Sequence, residues 1–140
     1  MNKKLVLSLI LTALMVAVAA CGGSKEETTF KVSGLAEVSF SAQSLSSIEM
    51  VAVEYTEKDG SVNTYNGYPL TAVIALAGIS DFSLVTMRAA DGYSADVTAD
   101  ELAPCLECIV ALDDEGNWRT VMPGFSGKQQ VKDLVELDIQ

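Results

Sequence analysis

Hydrophobic residues are distributed along the chain in two regimes. Residues 1–20 form one block, MNKKLVLSLILTALMVAVAA, in which 15 positions are apolar. From Phe30 onward, apolar and polar positions alternate in short runs separated by Gly, Pro and Asp. Alternation of this kind predicts half-buried strands, and the small polar clusters predict the turns between them. Phe30–Val32 and Val38–Phe40 read as short strands, and Ser41–Ser47, with Leu45 as its apolar anchor, as a helical turn. Ile48–Thr56 is rich in β-formers, with Val51, Val53 and Tyr55 on one face. Asp59-Gly60 predicts a hairpin turn into a second strand, Ser61–Tyr65.

Pro69–Gly78 reads as the main helix. Leu70, Val73, Ile74 and Ala77 recur at helical spacing, Pro69 suits the first turn, and Gly78 suits the position past the end. Leu84–Ala89 and Tyr93–Val97 are strands flanking an Asp91-Gly92 turn. Thr98 and Glu101 have the spacing of a capping box that opens a short helix. Ile109–Leu112 is continuously apolar and predicts a central strand. Asp113–Asn117 is a turn, and Trp118–Met122 a strand stopped by Pro123-Gly124. Ser126–Asp133 is a basic-leaning loop or helical turn; Leu134–Ile139 closes the chain with Val135, Leu137 and Ile139 alternating against Glu136 and Asp138. About eight strands and one clear helix predict a single α+β domain, mostly β in mixed sheets, over residues 30–140.

The N-terminal block is a different object. Lys3 and Lys4 precede an apolar stretch, Leu5–Ala20, that is shorter than the roughly 20 residues of a membrane-spanning helix. This is the arrangement of a secretory signal. Its end, Val18-Ala19-Ala20-Cys21, resembles the lipobox of bacterial lipoproteins, with Cys21 as the lipidated residue. The expectation is a signal peptide at residues 1–20 and a lipidated Cys with a tether at residues 21–29. The mature chain is then anchored stably on the extracytoplasmic side of a bacterial membrane, in the cell envelope. Gly22–Thr29 (GGSKEETT) is small and polar, as a tether should be.

Charge and composition narrow the chemistry. The 140 residues carry 19 acidic and 9 basic side chains, a net charge of -10, and no histidine. Loss of Lys3 and Lys4 makes the mature chain more acidic still. Nucleic acid is excluded as a partner, because neutralising phosphates needs Lys and Arg. Imidazole-dependent catalysis is excluded as well.

Three cysteines divide into Cys21 and a Cys105-Leu106-Glu107-Cys108 pair. Outside the cytoplasm such a pair becomes a disulfide, either a structural staple or a redox-active couple. Two thiols are too few for a zinc or iron–sulfur site unless two chains share one, and no metal ligands are assigned. Asp113-Asp114-Glu115 reads as a solvated hairpin tip rather than a calcium loop, whose ligand spacing it lacks. Glu49 and Glu54 lie five apart and do not make a catalytic pair.

Several segments in order resemble one family. They are Tyr65-Asn66-Gly67-Tyr68-Pro69-Leu70 before a helix ending Ala77-Gly78-Ile79, then Ala90-Asp91-Gly92-Tyr93-Ser94-Ala95, then Ile109-Val110-Ala111-Leu112. Val121-Met122-Pro123-Gly124 and Gly127-Lys128-Gln129-Gln130-Val131-Lys132 complete the set. Together they are similar to the molybdopterin-binding domain of sulfite-oxidase-like oxidoreductases, over residues 30–140. The resemblance implies that fold, and a groove in which Tyr93, Lys128, Gln129 and Lys132 contact an anionic ligand. It also implies a molybdenum-ligating cysteine on the segment before the Tyr-x-Gly motif, but Ile48–Tyr65 contains none. Family members hold the pterin with Arg, His and Lys, whereas this chain has only Arg88 and Arg119 and no histidine. Exported family enzymes leave folded by the twin-arginine route, and residues 3–4 are Lys-Lys.

The expected function is therefore a membrane-anchored lipoprotein that uses this fold to bind a small anionic ligand or a protein partner. No cofactor is expected, molybdopterin being disfavoured by these departures. The alternative is a redox protein, either a divergent molybdopterin-dependent oxidoreductase or a carrier using Cys105 and Cys108.

Overall fold

The computed structural model describes residues 26–140. Residues 1–25, with the signal segment and Cys21, lie outside the described residues. Nine strands form two sheets among the described residues. The first sheet has the order β2 (Val38–Phe40), β1 (Phe30–Gly34), β9 (Leu134–Ile139), β5 (Leu84–Ala89), β6 (Ser94–Thr98). It is mixed, because β1 runs parallel to β9 while the other pairs are antiparallel. The second sheet is antiparallel, in the order β3 (Val51–Thr56), β4 (Val62–Pro69), β7 (Ile109–Leu112), β8 (Trp118–Val121). The α+β expectation with one main helix holds, and Ile109–Leu112 is interior to its sheet as its apolar run predicted.

The main core joins the first sheet, one face of the second and helix α1 (Leu70–Leu76). Trp118 is its largest fully buried side chain, edge-on to Phe30 with ring centroids 5.1 Å apart. Each fully buried aliphatic or Phe side chain here contributes about 1.5–3 kcal/mol. Strand alternation sends Ile109, Ala111, Val121 and Val53 to the opposite face of the second sheet, where they form a smaller cluster.

Local chemistry explains most boundaries and the departures from them. Helix α1 starts one residue after Pro69, which takes the capping position with φ -53 and ψ 129 instead of entering the first turn. Gly78 follows the helix at φ +85, and Ile79 N–H reaches back to the Ile74 carbonyl. This is the six-residue closure that a C-terminal glycine permits. A second helix, α2 (Ala99–Leu102), opens on the full Thr98–Glu101 capping box. Strand β3 begins at Val51 rather than Ile48, and Val51 opposite Gly67 is the first position at which it pairs with β4.

Strand β4 continues past Tyr65 to Pro69, since its polar second half pairs with β7. At β9 the expected alternation fails. Val135 is 42% exposed while Leu134 is buried. The β5–β9 register slips between Arg88 and Ala89, and the bulge turns Val135 outward.

The residues just before Phe30 contact the domain. Trp118 Nε1–H donates to the Thr28 carbonyl at 2.8 Å, and Gln43 N–H to Glu27 Oε1 at 2.8 Å. Residues 27 and 28 are thus held on the domain. No helix among the described residues is long and apolar enough to cross a membrane.

Candidate functional site

Three segments converge at one end of the two sheets. They are the β3–β4 tip (Glu57–Ser61), the β5–β6 tip (Ala89–Tyr93) and the loop at residues 126–133. Asp59 Oδ1 accepts from the backbone and hydroxyl of Ser61, and Gly60 supplies the positive φ of +88 that the first tip needs. Tyr93 donates its hydroxyl to the Lys128 carbonyl at 2.8 Å, and Ala90 N–H donates to the Asp133 carbonyl at 2.9 Å. The loop is tied to β8 from below: Thr120 Oγ1 donates to the Gln129 carbonyl at 2.6 Å and accepts from Val131 N–H at 2.8 Å. Between the three segments lies a groove of about 920 Å³.

Arg119 lines this groove from β8. The register pairs Arg119 with Ala111 and Ala111 with Gly67, so two small residues lie in its row across the sheet. The long side chain reaches over them to β4. Its guanidinium sits over the Tyr65 ring, 4.5 Å from the centroid. Arg119 Nη1 donates to the Tyr65 hydroxyl at 2.8 Å and to Glu57 Oε1 at 3.3 Å, and the Tyr65 hydroxyl donates to Glu57 Oε1 at 2.7 Å. The Arg119 side chain is 4% exposed. Its Nε and Nη2 are buried and have no hydrogen-bond partner among the described residues. These two atoms share the edge of the guanidinium that grips two oxygens side by side.

Burial pushes the Glu57 carboxyl upward, but the Tyr65 hydroxyl, Arg119 and Lys132 outweigh it and hold the carboxyl below its ordinary range. Burial and the bond to Glu57 push the Tyr65 phenol up, against the pull of Arg119. The triangle is therefore a cation, a carboxylate and a neutral phenol.

Basic charge is concentrated here. The described residues contain six Lys and Arg, and four of them, Lys58, Arg119, Lys128 and Lys132, line the groove. Lys31 and Arg88 are elsewhere and are paired, with Glu37 and with Glu136 and Asp138. Lys58, Lys128 and Lys132 make no ion pair among the described residues. Only four of the 19 acidic residues, Glu57, Asp59, Asp91 and Asp133, share the lining.

Tyr93, Lys128 and Lys132 all line this groove. Gln129 is turned aside, its amide engaging Ser126 and the Asp96 carbonyl, and Gln130 takes the place beside the groove. Sequence reasoning missed Arg119, Glu57, Lys58 and Tyr65. Arg119 had one legible signal, a lone charge inside the apolar strand Trp118–Val121.

Cys105 and Cys108 form a disulfide away from this groove. Cys108 is fully buried, and its carbonyl accepts from Leu70 N–H at 2.9 Å, so the bridged loop steadies the start of α1. Cys105 follows the C-terminal end of α2. Among the described residues no group of three or more His, Cys, Asp or Glu is placed to hold a metal ion.

The two sheets, the single main helix and the groove at their end define a fold that is distantly molybdopterin-oxidoreductase-like. Among solved structures it is similar to the sulfane dehydrogenase SoxCD from Paracoccus pantotrophus, with a TM-score of 0.64 and 16% identity. The match covers 79% of this chain and 37% of that one, so this chain spans little more than a third of its neighbour. No family model and no curated protein matches the sequence.

Proposed function

We propose that this protein is an exported lipoprotein, anchored through Cys21, that binds a small oxyanion in the groove at Arg119 and carries no molybdenum. The observation that carries the reading is the buried Arg119, two of whose nitrogens lack partners among the described residues, beneath a groove lined by three lysines that make no ion pair among those residues. A buried charged donor left unsatisfied is costly, and ligand oxygens remove that cost. Both nitrogens are buried beneath the groove, so contact with an oxyanion requires the side chains above them to move.

The donor set does not fit a thiolate-ligated molybdenum centre. The groove lining contains no cysteine, and both cysteines of the described residues are joined to each other. No redox step is therefore assigned to the groove, and its chemistry is binding. Anions pair with Lys58, Lys128 and Lys132 at the rim and with Arg119 below, while Tyr93 fixes the loop that carries Lys128.

The test is elemental analysis of the full chain purified in detergent, followed by calorimetric titration with inorganic phosphate. The expected result is sub-stoichiometric molybdenum and saturable phosphate binding that Arg119→Gln abolishes. One molybdenum per chain, or phosphate binding unchanged by Arg119→Gln, overturns the reading.

A further inference from the structure

The strand registers determine which end of the domain the N-terminal chain joins. Strand β1 is parallel to β9, with Lys31 opposite Glu136, so both strands start at the same end. Strand β9 starts immediately after Asp133, and Leu134 pairs with Ala89. Asp133 and Ala89 line the groove. Independently, the Thr28 carbonyl is fastened to the indole of Trp118, the residue next to Arg119. The chain thus joins the domain at the groove end.

From Cys21 to Glu26 the chain advances five residues, a reach of at most about 18 Å. A lipidated Cys21 therefore holds the groove end close to the bilayer. The eight charges of the groove lining are balanced, four basic and four acidic. Asp59 and Asp91 each commit one carboxylate oxygen, Oδ1, to a turn. The whole chain carries a net charge of -10, which repels free anions and anionic surfaces at long range but not a neutral ligand bearing both signs. Tyr55, Tyr65 and Tyr93 add aromatic surface of the kind that attracts an ammonium group.

We propose that the groove faces the membrane that holds Cys21 and takes a zwitterionic phospholipid headgroup, its phosphate toward Arg119 and the lysines and its ammonium toward Asp59 and Asp91. This rests on the lipoprotein and oxyanion readings above and supplies the source of the oxyanion.

The experiment uses the full acylated chain in vesicles of phosphatidylcholine and phosphatidylethanolamine, with the unacylated Cys21→Ser chain in solution for comparison. A water-soluble acylating reagent reads the reactivity of Lys58, Lys128 and Lys132 on vesicles relative to the same lysines in solution, by peptide mass spectrometry. On vesicles the three groove lysines are expected to react about tenfold more slowly. Inserting a long Gly/Ser segment after Gly23 is expected to remove most of that protection. In solution, Cys21→Ser is expected to bind glycerophosphoethanolamine, the soluble headgroup, and to lose it with Arg119→Gln.

Equal lysine reactivity on vesicles and in solution overturns the proposal. So does equal protection on vesicles of phosphatidylglycerol alone, which assigns an anionic lipid instead. Binding of inorganic phosphate without glycerophosphoethanolamine overturns the headgroup and leaves the oxyanion reading standing. Absence of an acyl mass on Cys21 removes the lipoprotein reading itself, and the intact-protein mass settles that first.

Discussion

The Arg119 guanidinium lies over the Tyr65 ring, 4.5 Å from its centroid, and shares with that residue's hydroxyl a single acceptor, Glu57 Oε1. The pair spans β8 and β4 across the small Ala111 of β7. Removing a cation and its counter-ion from water costs more than their attraction returns when three of the five guanidinium N–H donors are unmatched. The double variant Arg119→Met/Glu57→Gln deletes both charges together. It should unfold in urea at the wild-type midpoint or above, by up to about 2 kcal/mol, and should lose phosphate binding. A loss of stability of several kcal/mol would show that Nε and Nη2 are well satisfied in solution.

Glu57 should also shape the acid limb of stability. Its carboxyl is held below the ordinary value of 4.5 in the folded chain. A depressed carboxylate contributes stability that is complete above the unfolded-state value and disappears as pH falls through the folded one. Wild type and Glu57→Gln should therefore run parallel from pH 7 to about 5. Below that the wild type should lose its advantage, and the two melting temperatures should converge. Thermal scans in steps from neutral to acidic pH make the comparison, and parallel profiles over the whole range would remove Glu57 from the account.

Much of the fold was legible because turns bracket the strands. Asp91-Gly92 and the capping box isolate Leu84–Ala89, and Asp113–Asn117 closes Ile109–Leu112, so these strands stand where their patterns placed them. Asn66–Pro69 was not legible as strand, since its polar and glycine-bearing sequence extends only because β7 supplies a second partner. The outward turn of Val135 depends on a register slip against β5, which no local pattern encodes. The groove was half legible. Tyr93, Lys128 and Lys132 followed from the motif resemblance. Glu57, Tyr65 and Arg119 meet only through cross-strand register, 54 and 62 positions apart along the chain for the two partners of Arg119.

The Cys105–Cys108 bridge closes a very short loop beside the first residue of α1. For a loop of this size the chain-entropy account gives about 2 kcal/mol. Cys105→Ala/Cys108→Ala should therefore fold with roughly that loss and titrate with phosphate as the wild type does. Because the bridge is remote from the groove lining, a changed phosphate affinity in this variant would couple the bridge to the site and revive a redox role.

Gly67 carries the last prediction, and it links the sheet to the site. A Cβ built there would meet the Val110 carbonyl oxygen at 2.5 Å and the Ala111 Cβ at 2.8 Å. Both neighbours belong to β7, and the first is backbone, so no side-chain rotation relieves the contact. Strands β4 and β7 must part, which strains the ladder between Gly67 and Ala111. Gly67→Ala should cost about 1–3 kcal/mol or more, as overpacking does elsewhere. The same separation moves Tyr65 on β4 away from Arg119 on β8, so phosphate affinity should fall in the fraction that remains folded. Urea unfolding and calorimetric titration on one preparation read both effects. Unchanged phosphate affinity alongside lost stability would uncouple the strand spacing from the Arg119 site.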